Sequence, residues 1–185
     1  MAREFTAAPE IMKELAKDEK LLWMGAPEAF PLMNADNKKG LVARWLGCII
    51  AAVMLVVIYI LLSAATHISV WLLIILLAVV AYIAAMPVLD KNNIYKNCRY
   101  YATDRRVILH HADKDIYALP LNGLKKAITA AEPGCVHIEL GNCAGIKANK
   151  RRTAAFAPKK GDNDNVIGFV LYNLEDDENL RKIFS

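Results

Sequence analysis

Charged side chains are missing from a long central stretch of the sequence. No Asp, Glu, Lys or Arg occurs in the 45 consecutive residues from Trp45 to Leu89, although 23% of the 185 residues are charged. At about 1.5 Å per helical residue, a hydrocarbon core of about 30 Å takes about 20 residues. We therefore predict two membrane-spanning helices, Trp45 to Ala65 and Ile68 to Leu89, joined at Thr66 and His67. A buried hairpin in a soluble core is disfavoured, because so short a chain could hardly cover two helices that are apolar on all sides.

The sequence also lacks the motifs of common enzymes and transporters. Neither predicted span holds an acidic or basic residue that could relay protons, which argues against a self-contained pump or channel. The chain has no nucleophile elbow, no glycine-rich phosphate loop and no HExxH motif. His110, His111, Asp113 and Asp115 are close in sequence, but successive strand residues point to opposite faces, so the two histidines share a site only if the strand bulges. We predict that the protein is not an enzyme and binds no cofactor.

Cysteines are few, and their spacing is not that of a metal motif. The chain has four, Cys48, Cys98, Cys135 and Cys143, and none forms a CxxC pair. A zinc site built from Cys135, His137 and Cys143 is conceivable, but it lacks the close paired spacing of strong zinc motifs. Disulfides are not expected in a reducing cytoplasm. We favour the interpretation that these residues belong to strands and turns, with no metal bound.

Basic residues flank the charge-free stretch, whereas the tip of the predicted hairpin carries none. The flanking residues are Lys38, Lys39 and Arg44 before the first span and Lys91, Lys96, Arg99, Arg105 and Arg106 after the second. The positive-inside rule then predicts an integral protein of the inner, cytoplasmic membrane with both termini in the cytoplasm. No apolar core followed by a cleavage site precedes the first span, so a secretory signal peptide is not expected. Pro87 falls in the last turn of the second predicted span.

Residues 1–44 form a cytoplasmic arm whose seven basic and seven acidic residues cancel. Pro9 could begin a short amphipathic helix with Ile11, Met12 and Leu15 on its apolar face. Either the membrane or the cytoplasmic domain could receive that face. The run from Leu21 to Pro27 is apolar and closes with Gly and Pro, which predicts a short strand or extended segment.

In residues 90–185, apolar and polar side chains alternate with period two. This part of the chain also carries the whole net charge of +4. The strand-like segments are 107–110, 116–119, 124–129, 135–140 and 166–172, separated by Gly, Asn, Asp and Pro at short intervals. They predict six or seven strands in a small antiparallel β-barrel or sandwich. The chain then closes with a helix capped by Asn173, whose buried face is Leu180, Ile183 and Phe184. The fold class is thus an α+β membrane protein, a helical hairpin from 45 to 89 followed by a β domain.

Two short motifs resemble those of the bacterial pleckstrin-homology-like domain family. The segment Tyr100 to Ile108, with Tyr101, Thr103 and Arg106, is similar to the Tyr-x-x-Thr-x-x-Arg segment that opens such domains. Before the hairpin, Trp23, Gly25 and Pro27 are similar to the Trp-x-Gly-x-Pro segment of membrane-anchored members. The resemblance implies two nearly orthogonal antiparallel sheets capped by a C-terminal helix, and a role in binding or assembly without catalysis.

The turn at Thr103, Asp104 and Arg105 has a structural explanation that we favour over ligand contact. Thr and Asp side chains can accept hydrogen bonds from amides in a tight turn, and Arg can pair with a nearby carboxylate or an anionic headgroup.

The basic segment 147–160 holds six positive charges and no negative one. We name as candidate contacts for anionic lipid or a partner Lys147, Lys150, Arg151, Arg152, Phe156, Lys159 and Lys160. Near an anionic leaflet each Lys or Arg contributes about 1 kcal/mol. A solvated loop is an equally good explanation. Nucleic acid is disfavoured, because no aromatic-rich basic stripe accompanies the modest charge.

Two function classes remain after these exclusions. The first is a membrane-anchored, cytoplasmic-facing binding or scaffold module that contacts anionic lipid of the inner leaflet or a protein partner, which could be a second copy. The second is a structural or regulatory subunit of a larger membrane complex, with the hairpin packed among partner helices.

Overall fold

The computed structural model describes residues 15–34, 37–63, 69–111 and 116–184. The chain forms two compact units: a helical unit, Pro31–Asp90, and a β unit made of Met1–Phe30 together with Lys91–Ser185. The helical unit is therefore an insertion in the chain of the β unit.

Two long helices make up most of the helical unit, α1 (Lys38–Ser63) and α2 (Val70–Asn97), the second continuing into the β unit. Both have a mean hydropathy of 2.8 over their most apolar windows and are long enough to cross a membrane. Trp45 donates its indole N–H to the carbonyl oxygen of Ala84 at 3.0 Å, which ties the two helices together. Thr66 and His67, where the hairpin turn is predicted, lie outside the described residues.

Pro87 lies inside α2 rather than in its last turn, so the predicted end of this helix is wrong. The helix continues for ten more residues to Asn97, although proline removes one backbone hydrogen bond. Its final turns belong to the β unit, where Ile94 is fully buried and Asn93 lies 3.0 Å from the imidazole Nε2 of His111. Packing on the β unit stabilises the helix beyond the proline.

The first sheet of the β unit combines strands from both sides of the helical insertion. Its order is β1-β2-β3-β4, all antiparallel. The strands are β1 (Leu21–Gly25), β2 (Cys98–Thr103), β3 (Arg106–His111) and β4 (Ile116–Pro120). The strand predicted before the hairpin is confirmed, and it pairs directly with the first strand after the hairpin.

The second sheet has the order β5-β6-β8-β7, also antiparallel. Its strands are β5 (Lys126–Ala130), β6 (Cys135–Gly141), β7 (Lys159–Lys160) and β8 (Val166–Glu175). A short helix, α3 (Ala148–Ala154), lies between β6 and β7, and the helix α4 (Glu178–Phe184) follows β8. Two antiparallel sheets and a C-terminal helix are confirmed. The described residues contain eight strands, and α3 corrects the expectation of a loop in the basic segment.

The main core lies between the sheets and is closed by α4. Tyr100, Leu140 and Phe169 are fully buried in it, and Leu180 and Phe184 of α4 belong to the same cluster. Alternation along the strands puts these side chains inside, as the period-two pattern predicts.

Trp23 joins this core from the segment before the helices. Its ring packs edge-on against Phe184 at 6.5 Å between centroids. A side chain at position 25 would overlap the Trp23 ring, which explains the glycine two residues later. The tryptophan of the Trp-x-Gly pair therefore packs on the core of the β unit, and the glycine leaves room for its ring.

Asn173 does not cap the C-terminal helix, contrary to the sequence prediction. It lies within β8 at a φ of 50°, and its side chain, 1% exposed, donates to the Glu28 carbonyl at 3.1 Å. The helix begins at Glu178, and Asp177 accepts a hydrogen bond from the Leu180 amide at 2.5 Å. An acidic side chain that accepts from a free amide is a usual cap at the start of a helix. The buried hydrogen bonds of Asn173 hold that residue in β8, so the strand continues past its predicted end.

Leu180 should be essential to the stability of the β unit, because it is 1% exposed in the main core. Leu180→Asp puts an unpaired charge there, and we expect a loss of several kcal/mol. Asn179→Asp is the matched control, since it adds the same charge at an exposed neighbour. Thermal unfolding of the detergent-solubilised full chain measures both. Equal melting of the two variants would show that α4 does not close the core.

Candidate functional site

The basic segment 147–160 folds into two chemically different sets of side chains. Lys147, Lys150, Lys159 and Lys160 are exposed, and Lys160 lies 2.9 Å from a carboxylate oxygen of Asp164. The arginines and the phenylalanine are drawn into the β unit instead. The predicted candidate contacts are neighbours in sequence, but the structure divides them between the surface and the interior of the β unit.

Arg151 holds a buried carboxylate on β6. Glu139 is fully buried, and Arg151 donates from Nε to its Oε1 at 2.6 Å. The amide of Gly145 donates to Oε2 at 2.6 Å, and the hydroxyl of Thr129 lies 3.4 Å from Oε1. A buried carboxylate needs such partners, because leaving it without compensation costs several kcal/mol. The prediction did not foresee this partner for Arg151.

Arg152 stacks on an aromatic ring rather than reaching solvent. It is 8% exposed, and its guanidinium carbon lies 5.4 Å from the centroid of the Phe30 ring. The ammonium of Lys91 lies 5.9 Å from the same centroid. Both distances are within the range of cation–π attraction. Two cationic side chains thus lie against the Phe30 ring, one from the basic segment 147–160 and one from α2.

The Phe30 ring belongs to a second buried cluster of the β unit. It meets Tyr172 edge-on at 4.9 Å between centroids, with Ile94 and Val170 in the same cluster. Phe156, a candidate contact for anionic lipid or a partner, is partly buried and packs against this cluster and the main core. The Phe156 ring therefore contributes to the packing of the β unit.

Asn173 fixes the chain just before Phe30. Its backbone carbonyl accepts from the amide of Glu28 at 2.8 Å, and its side chain donates back to the Glu28 carbonyl. The Asn173 amide in turn donates to Nδ1 of His137 at 3.0 Å, and that ring packs on Tyr172 at 4.2 Å between centroids. Since Nδ1 accepts, the proton of neutral His137 resides on Nε2. Phe30 is the last residue of the β unit before the helical insertion, so this network fixes where the chain leaves the unit.

The Thr103 side chain makes the turn hydrogen bonds that the structural explanation predicts, and it also has a partner that the sequence did not reveal. The hydroxyl of Thr103 accepts from the amides of Arg105 and Arg106 at 3.2 and 2.9 Å and donates to Glu19 at 2.7 Å. Arg106 donates to both carboxylate oxygens of Glu19, at 2.8 and 2.9 Å. The Arg106 hydrogen bonds lower the pKa of Glu19 from 4.5 to about 2. Because Glu19 lies 87 positions away, no local pattern could have predicted the pair.

The cysteines of the β unit are buried or partly buried. No group of three or more His, Cys, Asp or Glu in the described parts of the chain is placed to hold a metal ion. Burial raises the pKa of Cys98 to about 12 and raises that of Cys143 and Cys135, which disfavours their nucleophilic thiolates. Asp113 and Asp115, considered beside the histidines of β3, lie outside the described residues.

Comparison with protein-family models, with curated proteins and with solved structures found no match.

The Arg151–Glu139 pair should be structural, so its loss should destabilise the β unit. Arg151→Ala leaves Glu139 buried without its cation, and we expect a loss of about 3–5 kcal/mol. Lys150→Ala, one residue earlier and exposed, should change stability by no more than about 0.5 kcal/mol. Denaturant unfolding of the full chain in detergent compares them. If Arg151→Ala unfolds like Lys150→Ala, the arginine is available for another partner.

Proposed function

We propose that the protein is a membrane-anchored, non-enzymatic binding module whose β unit contacts anionic lipid of the inner leaflet and is thereby oriented toward a protein partner. The observation that carries the proposal is the division of the basic segment. Its arginines serve the fold, whereas its four lysines remain exposed on one short stretch. Lysines on the surface, held by a folded helix and strand, form a site suited to electrostatic contact.

Membrane anchoring by the helical unit is supported by the length and composition of α1 and α2. At about 1.5 Å per residue each exceeds the hydrocarbon core of about 30 Å. Their large apolar side chains are exposed, as at Ile49, Leu61 and Trp71. In water such surface would be strongly unfavourable, whereas in a bilayer it is solvated by lipid.

Strand pairing supports the placement of both ends of the insertion on one side. Strand β1 lies before the helices and β2 after them, and the two are antiparallel neighbours in one sheet. A hairpin inserted between paired strands must return to the side from which it left. Together with the positive-inside pattern, this favours two spans with both termini cytoplasmic.

A pleckstrin-homology-like fold for the β unit is part of the proposal. Two four-stranded antiparallel sheets followed by a C-terminal helix match the architecture that the Tyr101, Thr103 and Arg106 motif implies. The function carried over from that resemblance is binding without catalysis.

The lysine surface is suited to orientation more than to attachment. Each lysine near an anionic leaflet adds about 1 kcal/mol, and salt reduces the gain. Two spans already anchor the chain, so this energy serves to select one face of the β unit for the membrane. The opposite surface would then be presented to a partner, where charge complementarity gives specificity.

The alternative is a subunit of a larger membrane complex. A groove of about 370 Å³ runs between α1 and α2, lined by small and apolar residues that include Ala52, Ala81 and Ala84. Small residues let helix backbones approach closely in lipid. This alternative locates the main contacts in the helical unit, and it predicts no role for the lysines.

The proposed topology predicts which cysteines an impermeant maleimide can reach from outside intact cells. Ser69 lies one residue before α2, and Ser69→Cys should be labelled from outside. Thr153→Cys, exposed on α3, should be labelled only after the membrane is permeabilised. External labelling of Thr153→Cys in intact cells would overturn the topology.

The lysine surface predicts a salt-sensitive approach of α3 to anionic headgroups. The full chain, with Cys48 and Cys135 replaced and a donor dye on Thr153→Cys, is placed in nanodiscs carrying acceptor-labelled lipid. Energy transfer should be greater in anionic than in neutral discs and should fall as salt rises. Lys147→Glu with Lys150→Glu should abolish the difference.

The control reverses two exposed lysines outside the segment, Lys125→Glu with Lys182→Glu, and therefore has the same net charge. It should retain the anionic preference. The lipid proposal would be wrong if the native chain showed equal energy transfer in anionic and neutral discs, or if the two double variants had equal effects. Either result would favour the subunit of a larger membrane complex.

A further inference from the structure

Strand β5 forms an outer edge of the second sheet, and the hydrogen bonds show which of its residues face outward. Among the described residues β5 pairs with β6 alone. The Gly141 amide donates to the Lys125 carbonyl at 2.8 Å, and the Ala131 amide donates to the Cys135 carbonyl at 3.1 Å. Bonded pairs recur at every second residue of an antiparallel ladder, so the odd-numbered residues of β5 bond to β6. The even-numbered residues direct their amides and carbonyls away from the sheet.

Three residues present their backbone groups at this edge, Lys126, Ile128 and Ala130. No residue that the structure describes forms a hydrogen bond to their amides or carbonyls. Such a row of donors and acceptors is a template for another strand. Ile128 is 36% exposed and lies opposite Ile138 of the main core, so it adds an apolar side chain at the same edge.

The other outer strands carry features that oppose pairing with a further strand. Strand β4 ends in Pro120, which has no amide hydrogen, and the register of β1 shifts between Leu21 and Trp23. Strand β7 has two residues, both lysines. Strand β5 has five residues in regular register and no proline. Its one charged residue, Lys126, donates from Nζ to the Ile183 carbonyl at 3.2 Å, so its ammonium is held toward α4.

The geometry points to an antiparallel pairing of β5 with β5 of a second copy of the chain, centred on Ile128. In this register Ile128 lies opposite Ile128, and Lys126 of each copy lies opposite Ala130 of the other. Each opposed pair forms two hydrogen bonds, so every outward amide and carbonyl of the three residues gains a partner. Apolar side chains meet at the two-fold axis, and no like charges lie directly opposite each other. The two four-stranded sheets thereby become one continuous sheet.

A second copy suits this edge better than a free peptide does, an argument that rests on the proposed membrane anchoring. One pair of five-residue strands is a small interface compared with the total of about 1,200–2,000 Å² buried in stable complexes. Anchoring in one bilayer raises the effective concentration of the copies. Copies with the same topology also hold β5 at the same distance from the bilayer, so their edges meet without further ordering.

The test reads the strand register by disulfide formation in native membranes. The full chain has Cys48 and Cys135 replaced, and one cysteine is then introduced per chain. Pairing centred on Ile128 puts Ala127 of one copy opposite Thr129 of the other, with Cα atoms about 4.5 Å apart and within reach of a disulfide. Differently tagged Ala127→Cys and Thr129→Cys chains, expressed together and oxidised mildly, should form a cross-linked dimer.

Either variant expressed alone is the register control. Its two equivalent cysteines lie on the diagonal, about 7–8 Å apart, where a disulfide does not form without backbone movement. We expect the mixed chains to cross-link about tenfold more than either variant alone. Equal cross-linking in all three membranes overturns the proposed register. A disulfide to a different polypeptide would assign the edge to a partner protein, and this also overturns the pairing with a second copy.

A charge at the centre of the edge should separate the copies. Ile128→Lys puts two like charges opposite each other, and cross-linking of the mixed chains should fall about tenfold. Leu22→Lys is the matched control, because it adds the same charge at another exposed apolar residue, and it should leave cross-linking unchanged. Cys98 and Cys143 are fully buried and report on the fold by staying unreactive toward maleimide.

If the buried thiols become reactive in Ile128→Lys, Ile128→Pro replaces it. Proline removes an outward amide there and spares the hydrogen bonds to β6. Cross-linking that persists in a folded variant overturns the proposal. External labelling of Ser69→Cys tests the anchoring separately. Absence of cross-linking in a chain that passes this labelling test overturns the pairing and leaves the proposed function standing.

Discussion

The pairing of β1 with β2 is the constraint on which the rest of the structure depends. These strands are separated by the whole helical insertion, yet Met24 and Gly25 lie opposite Tyr101 and Tyr100. Trp23 of β1 reaches the core and packs on Phe184 of the last helix. The β unit is therefore incomplete until both flanks of the insertion have been joined. Closing so long a loop has an entropic cost that the packing of Trp23 and the strand hydrogen bonds must offset.

Two buried carboxylates hold connecting segments in place by hydrogen bonds, whereas the apolar core holds the sheets together. Glu139 orders the turn at Gly145 and the helix that carries Arg151, and Glu19 orders the chain that leads into β1. In each case an arginine compensates the charge with short hydrogen bonds. Such pairs add little net stability compared with apolar packing, but removing one partner is costly. They therefore specify one arrangement of segments that have few apolar residues of their own.

Local patterns predicted those parts of the fold that depend on local chemistry. Period-two alternation located β3, β4, β6 and most of β8, and the charge-free run located both long helices. What failed depended on distant partners: α2 passes Pro87 because Ile94 packs on the β unit, and β8 extends through Asn173 because that side chain bonds to Glu28. The same reason explains the candidate site. Counting charges identified the basic segment, but its contacts with Glu139 and Phe30, which lie outside it, decide which of its cations are drawn away from the surface.

The exchange of roles between arginine and lysine in that segment follows from their chemistry. A guanidinium is planar, weakly hydrated and able to donate in a fork, so it suits burial beside a carboxylate or on a ring, as at Arg151 and Arg152. An ammonium is compact and strongly hydrated, so it remains in water on a flexible stem. A contact surface made of lysines would consequently adapt to mobile headgroups without disturbing the fold beneath it. Because the arginines fix the backbone of α3 through Glu139 and Phe30, the exposed Lys147 and Lys150 beside them are displayed at a defined place on the β unit.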